Sequence, residues 1–202
     1  MKFRIEKKYK IHETNKVNFF KWLNNNNYKE IFKKRLITSI YYDNLNLQMY
    51  QNSSEGIIPR KKIRIRYYDE INKIHKEEKL TTTDGEFKDS KILQADVNDI
   101  PNHILDVSHG ACYQILKVIY DRRYFLNNNI RVTIDDNIRY NKVSSTTDFK
   151  DDISLNKCVI EFKCFQTKDF NEIKDSIPLD EIRFSKYSNA VECLKKNYFL
   201  TF

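Results

Sequence analysis

The chain has 202 residues, 40% hydrophobic and 13% aromatic, enough to bury a core, and with only 3 glycines and 3 prolines it is neither low-complexity nor disordered. Lys and Arg number 36 against 28 Asp and Glu, a formal net charge of +8, which favours polyanionic partners: nucleic acid, phosphate chains or an anionic membrane surface. Cys112, Cys158, Cys164 and Cys193 form no CxxC pair, so a zinc site is disfavoured and free thiols in a reducing compartment are expected.

The start, MKFRIEKKYKIH, is too charged for a signal peptide, and no window approaches ~18 apolar residues. The sequence reads as a soluble, cytoplasmic protein forming a single domain over residues 1–202. Residues 2–11 alternate Phe3, Ile5, Tyr9 and Ile11 with Arg4, Glu6, Lys8 and Lys10, which predicts a strand. Val17, Phe19, Phe20 and Leu23 predict a helix over 14–24, with Thr14 as its N-cap. LITSIYYDN, 36–44, is the next strand, and Leu45, Leu47, Met49 and Tyr50 lead into a Ser/Gly loop around NSSEG. Strands follow at 61–68 and 74–81 as hairpin partners, and TTTDGE is a turn.

Residues 92–116 read as one or two short helices leading into a strand. KVIYDRRYF, 117–125, is a strand that turns at NNN into a partner strand at 130–138. A polar stretch, 141–157, precedes the strand CVIEFKCF at 158–165. FNEIKDSI, 170–177, reads as a short helix, and SKYSNAVECLKKNYF as the terminal helix capped by Ser185. Seven or eight antiparallel strands with peripheral helices make an α+β protein.

Five of these segments place charge at alternate positions: Arg4, Glu6 and Lys8; Arg64 and Arg66; Glu77 and Lys79; Arg131, Thr133 and Asp135; Glu161 and Lys163. Alternation puts each set on one face of a strand, with Ile5, Ile63, Ile65, Val132 and Ile134 on the other. Helices can cover the apolar face from outside, which frees the charged face to line a channel. Crowded cations repel when the channel is empty. A phosphate chain neutralises them and gives each guanidinium a bidentate partner. The few acids then serve to hold a divalent ion, Mn2+ or Mg2+, since both accept carboxylate and phosphate oxygens together. The sequence has no GxxxxGK phosphate loop, and His12, His75, His103 and His109 form no pattern with cysteine.

Taken together, RIEKKYKI at 4–11, SIYYDN at 39–44, KIRIRYY at 62–68, EEKL at 77–80, YDRRYF at 120–125, RVTIDDNIRY at 131–140, VIEFK at 159–163 and FSKYSNA at 184–190 make the chain resemble the VTC domain. That is the polyphosphate polymerase domain of the vacuolar transporter chaperone family, within the triphosphate tunnel metalloenzyme (CYTH-like) superfamily. The resemblance implies an antiparallel β-barrel tunnel that transfers the terminal phosphoryl of ATP to a growing polyphosphate chain, with Mn2+ or Mg2+ as cofactor.

It also implies roles for residues. Lys8, Arg64, Arg66, Lys79, Arg122 and Arg131 match the family's phosphate-gripping set. Tyr120 belongs with Arg122 to a Y-x-R strand, Lys88 lies beyond Lys79, and Arg183 and Lys186 fall at the tunnel rim. Arg4 and Lys163 complete the substrate-binding set, and Glu161 and Glu6 are the metal carboxylates. Arg4 stands where the superfamily's E-x-E-x-K strand has its first glutamate. This departure favours the polymerase branch over the hydrolytic one and thins the metal site. The implied partners are ATP, inorganic polyphosphate, and orthophosphate or pyrophosphate, with no sequence-specific nucleic acid. A membrane-protein partner that draws the product across a bilayer is compatible with the resemblance. Two other readings use the same residues: a triphosphatase with water as attacker, and a non-catalytic polyphosphate- or RNA-binding module. Asp135 has a plainer expected role, as a strand-end partner for an arginine.

Overall fold

A computed structural model of the protein describes residues 5–68, 71–143, 153–155 and 158–198. Phe3 and Arg4, with the role expected of Arg4, lie outside the described residues. The chain forms β1 (Ile5–Ile11), α1 (Lys16–Asn25), β2 (Lys29–Asp43), α2 (Gln48–Glu55), β3 (Arg60–Tyr68), β4 (Ile71–Thr82), β5 (Gly85–Leu93), β6 (His103–Asp106), β7 (Gly110–Asn127), β8 (Ile130–Lys142), β9 (Ile153–Leu155), β10 (Cys158–Cys164), α3 (Thr167–Ile173) and α4 (Lys186–Tyr198). The strands join in the order β1-β10-β8-β7-β2-β3-β4-β5, with β6 on β7 and β9 on β8. It is the α+β, antiparallel architecture that the sequence predicts, with ten strands among the described residues rather than seven or eight.

Several elements differ from their sequence reading. NSSE is helical, not a loop: Asp43 accepts the backbone N–H of Met49 and Tyr50 at 3.0 and 2.9 Å, which anchors the first turn of α2, and Gly56 ends it at φ 77°. Residues 92–116 hold one short 3-10 helix, Val97–Asp99, and the rest of the stretch from 103 forms a β-hairpin. Its turn is closed by Asp106 Oδ1, which accepts the N–H of Ser108 and His109 at 3.2 and 3.1 Å. Past the TTTDGE turn, β5 pairs with β4 as an edge strand, and its polar composition hid it from a hydrophobicity pattern. Thr14 sits in a short 3-10 turn, and the residue ahead of α1 is Asn15, which makes no side-chain cap. Ser185 does cap α4, its Oγ accepting the N–H of Ser188 at 3.3 Å.

The chain divides into two compact units. The first takes the described residues of 1–36, 120–138 and 155–184. Its core lies on one face of β1, β8 and β10: Tyr9, Ile11, Val132, Ile134, Ile160 and Phe162 pack with Phe19 and Leu23 of α1 and Phe170 of α3. Phe162 is its centre, with the rings of Tyr9, Phe19, Trp22 and Phe170 at 5.4, 6.5, 6.0 and 6.5 Å.

The second unit takes the described residues of 37–119, 139–154 and 185–198. Ile63 and Ile65 of β3 are buried on one face. On α4, Tyr187, Ala190, Val191 and Leu194 are buried, and Tyr187 stacks on Tyr41 while donating its OH to Asp43 at 2.6 Å. Asp43 thus ties the first turns of α2 and α4 to the end of β2.

Candidate functional site

In the first unit the charged positions of β1, β10 and β8 fall in cross-strand rows. Glu6 lies opposite Lys163, which lies opposite Arg131; Lys8 lies opposite Glu161, which lies opposite Thr133. Directly opposed residues share a face, so these six occupy the side of the sheet away from the Phe162 core. Lys163 Nζ donates to Glu6 Oε1 at 2.9 Å and stands 3.1 Å from Glu161 Oε2, bridging the two carboxylates. Glu161 is buried. Burial alone would favour its neutral form, and Glu6 adds to that; Lys163, Lys8 and Arg122 outweigh both and hold the carboxyl below the usual range. Lys8 donates to the carbonyl of Phe184 at 2.8 Å.

Arg122 of β7 is gripped by Asp135 of β8 through Nε and Nη2, at 2.5 and 2.7 Å. Its guanidinium stands 5.2 Å from the buried ring of Tyr120. Burial opposes the cation, but the Asp135 carboxylate more than offsets this and raises its pKa.

In the second unit, rows across β2, β3, β4 and β5 bring together Tyr41, Arg64, Glu77 and Ser90, then Ser39, Arg66 and His75, then Lys62, Lys79 and Lys88. Glu77 is the hub. Arg64 meets its Oε2 at 2.6 Å, Arg66 approaches the same oxygen at 3.6 Å, and Lys88 donates to Oε1 at 2.6 Å. Burial penalises this carboxylate, yet Arg64, Arg66 and Lys88 together hold its pKa far below the usual range. Arg64 also donates to Tyr41 OH at 3.0 Å, and Arg66 to Ser39 Oγ at 3.2 Å. Three lysines in one row would repel. Here Lys88 goes to Glu77, Lys79 to Glu86 at 2.6 Å, and Lys62 to Ser185 Oγ at 2.9 Å. Lys186, half-buried, opens α4, whereas Arg183 is exposed ahead of it.

The family model of the VTC domain matches residues 3–111 and 109–195. The chain belongs to the VTC domain family. No curated protein matches the sequence significantly. Among solved structures, a Vibrio parahaemolyticus protein provisionally named an adenylate cyclase is 13% identical, with a TM-score of 0.59 over 95% of this chain and 98% of its own. A similarly named Bacillus halodurans protein is 13% identical, TM-score 0.59, over 98% of both chains. A Hippeastrum protein, provisionally an adenylyl cyclase and described by a dominant triphosphatase activity, is 12% identical, TM-score 0.55, over 96% of both chains. The fold of this VTC domain is therefore the triphosphate tunnel fold, and family and fold together place it among the phosphate-handling tunnel enzymes.

Tunnel-fold enzymes use divalent metals, and two acidic groups in this VTC domain bear on where one fits. Glu13, Asp136 and Cys158 bring ligand atoms within 4.8 Å of one another. Lys16 bridges its two carboxylates, at 2.5 Å from Glu13 and 2.6 Å from Asp136, much as Lys163 bridges Glu6 and Glu161, so the difference between the two groups lies in the other ligands. Cys158 donates its proton to Asp136 at 3.0 Å, and burial pushes the thiol up to about 12, so it is no thiolate ligand. Glu161 and Glu6 fit better. Both lie on the charged face, Glu161 is held ionised, and the buried Thr133 Oγ1 in the same row as Glu161 has no hydrogen-bond partner. An orphaned buried hydroxyl beside a carboxylate suits a site completed by an ion and its water.

Glu77, Ser39 and Tyr41 are among the residues of these clusters to which the VTC resemblance gives no role. Glu77 was visible as a charged alternate position, but nothing in a linear pattern says that three cations share it.

Proposed function

We propose that this VTC domain is a polyphosphate polymerase, transferring the terminal phosphoryl group of ATP to the end of a phosphate chain. An oxygen of the chain end bonds to the terminal phosphorus, the bond to the bridging oxygen breaks, and ADP leaves with that electron pair. The observation that carries the reading is the convergence of Arg64, Arg66 and Lys88 on one carboxylate, Glu77. Guanidinium and ammonium groups gathered in one place suit an anion with several charges.

In the second unit Arg64, Arg66 and Lys79 are the phosphate-gripping residues, with Lys88 and Lys186 as further contacts, and in the first unit Lys8, Lys163 and Arg183 are phosphate contacts. Arg122 and Arg131 stabilise charge on the transferring group, and Tyr120 sets the plane of the Arg122 guanidinium. Alignment and charge stabilisation dominate phosphoryl transfer, so no protein nucleophile is required. The attacking oxygen is already anionic, so no general base is needed either. Glu161 and Glu6 are the residues that would hold Mn2+ or Mg2+, and the ion would supply neutralisation of phosphate charge. A cytoplasmic setting, with a membrane-protein partner receiving the product, suits this reading.

A second reading is a triphosphatase, favoured by the described activity of the Hippeastrum neighbour. Incubation with ATP and Mn2+, followed by a gel stained for long phosphate chains, separates them. Long chains support the polymerase. Free phosphate without chains supports the triphosphatase. Tight binding of a non-hydrolysable ATP analogue without turnover under any divalent ion overturns both and leaves a binding module.

A further inference from the structure

Residues 29–34 of β2 are all exposed, and among them is Phe32, which is 47% exposed. Arg35 lies over that ring, its guanidinium carbon 4.6 Å from the centroid. The same guanidinium lies 5.6 Å from the ring of Tyr124, which meets Phe32 edge to face at 5.5 Å. Nearby cations are matched by acids: Arg123 forms a fork with Glu30, both bonds at 2.8 Å, and Lys34 reaches Asp121 at 3.3 Å. Arg35 is half-buried against two rings and forms no ion pair with an acid among the described residues. Its charge is unbalanced at a place where water is partly excluded.

Tyr124 connects this corner to the buried site. The guanidinium of Arg122 stands 5.9 Å from the centroid of the same ring. Two guanidiniums therefore share one tyrosine: Arg122 bound to Asp135, and Arg35 at the open edge without an acid. A flat apolar ring exposed beside an unpaired guanidinium suits one end of a ligand that has both a π-face and an anion. An inorganic phosphate chain gains nothing from Phe32. A nucleobase does, because base–aromatic stacking is favourable for every base and is reinforced by an arginine on the ring. Two cations sharing one ring also lie within the span of an extended triphosphate and its ribose.

We infer that Phe32, Arg35 and Tyr124 form a nucleoside subsite, in which the base of a nucleoside triphosphate stacks on Phe32 and Arg35 takes the phosphate nearest the ribose, so that the enzyme prefers nucleoside triphosphates to inorganic tripolyphosphate. The inference rests on the reading that the Arg122 site takes the far end of the triphosphate. Stacking on a ring is favourable for every base, so the subsite is tolerant of base identity, with purines ahead of pyrimidines because they offer the larger π-face.

Calorimetric titration of the whole chain with Mn2+ tests it, using a non-hydrolysable ATP analogue and tripolyphosphate as the two probes. Phe32→Leu keeps an apolar side chain and loses the π-face; Arg35→Gln keeps a polar hydrogen-bonding end and loses the charge. Each substitution should weaken the ATP analogue by roughly tenfold, with Phe32→Leu leaving tripolyphosphate within about twofold. Circular dichroism and a melting curve on the same samples check the fold, and Phe32→Tyr, which keeps the π-face, should bind as wild type does. Unchanged affinity for the ATP analogue in Phe32→Leu, or equal weakening of both probes, overturns the subsite while tripolyphosphate binding by the wild type keeps the phosphate reading intact. A wild type that binds neither probe overturns both.

Discussion

Asp135 clamps Arg122 through two parallel hydrogen bonds, Nε to Oδ1 at 2.5 Å and Nη2 to Oδ2 at 2.7 Å, with the carboxylate almost wholly removed from water. The clamp uses one edge of the guanidinium and leaves Nη1 for another acceptor. Removing the acid strands a buried cation. Asp135→Asn is expected to cost about 3–5 kcal/mol of stability, the range for breaking a buried ion pair from one side. Urea unfolding monitored by circular dichroism measures it; a loss below ~1 kcal/mol contradicts the clamp.

Glu77 gives a pH prediction. Its pKa in the folded protein is held below the unfolded value by Arg64, Arg66 and Lys88 against the penalty of burial. A depressed carboxylate pKa contributes stability that is complete above the unfolded value of about 4.3 and is lost as pH falls below it toward the folded value. Wild-type stability should therefore drop on acidification below about pH 4.5. Glu77→Gln should be less stable near neutrality and flatter across that acid window. Denaturant midpoints at a series of pH values decide it, and parallel curves for the two proteins would remove the charge hub.

Glu161 separates metal chemistry from folding. Glu161→Gln keeps the shape of a buried side chain beside Lys163 and removes its charge. Turnover with Mn2+ should fall by at least about a hundredfold, a range seen when a group that holds charge in the transition state is lost, while the melting temperature moves by only a few degrees. A Mn2+-induced rise in melting temperature should be present in the wild type and absent in the variant. An equal rise in both would move the ion elsewhere.

Phe162 tests the apolar side of the same sheet. It is buried on β10 between Glu161 and Lys163, yet faces four aromatic rings on the other side. Phe162→Ala should cost about 3–5 kcal/mol, read by urea unfolding. A loss under ~1 kcal/mol would mean the aromatic cluster is not the core of its unit.

The division of β10 into two faces was legible in the letters VIEFK, because a strand sends successive side chains to opposite sides whatever it packs against. The same period marked Arg64 and Arg66 on β3, and Arg131, Thr133 and Asp135 on β8. Local rules also gave the β3–β4 and β7–β8 hairpins and the Ser185 cap. They failed where a distant group decided the outcome. NSSE became helix because the Asp43 carboxylate takes two N–H groups of α2, and polar β5 became a strand because β4 offers it a hydrogen-bonding edge. Sequence by itself determined which residues carry charge and which face of each strand they occupy. Tertiary structure alone decided which acid answers which base: that Asp135 belongs to Arg122, that Lys163 bridges Glu6 and Glu161, and that Arg64, Arg66 and Lys88 share Glu77. The reason is range. Strand alternation is fixed within three residues of backbone, whereas an ion pair needs two side chains within about 4 Å, and only strand register brings together residues as far apart in sequence as Glu6 and Lys163.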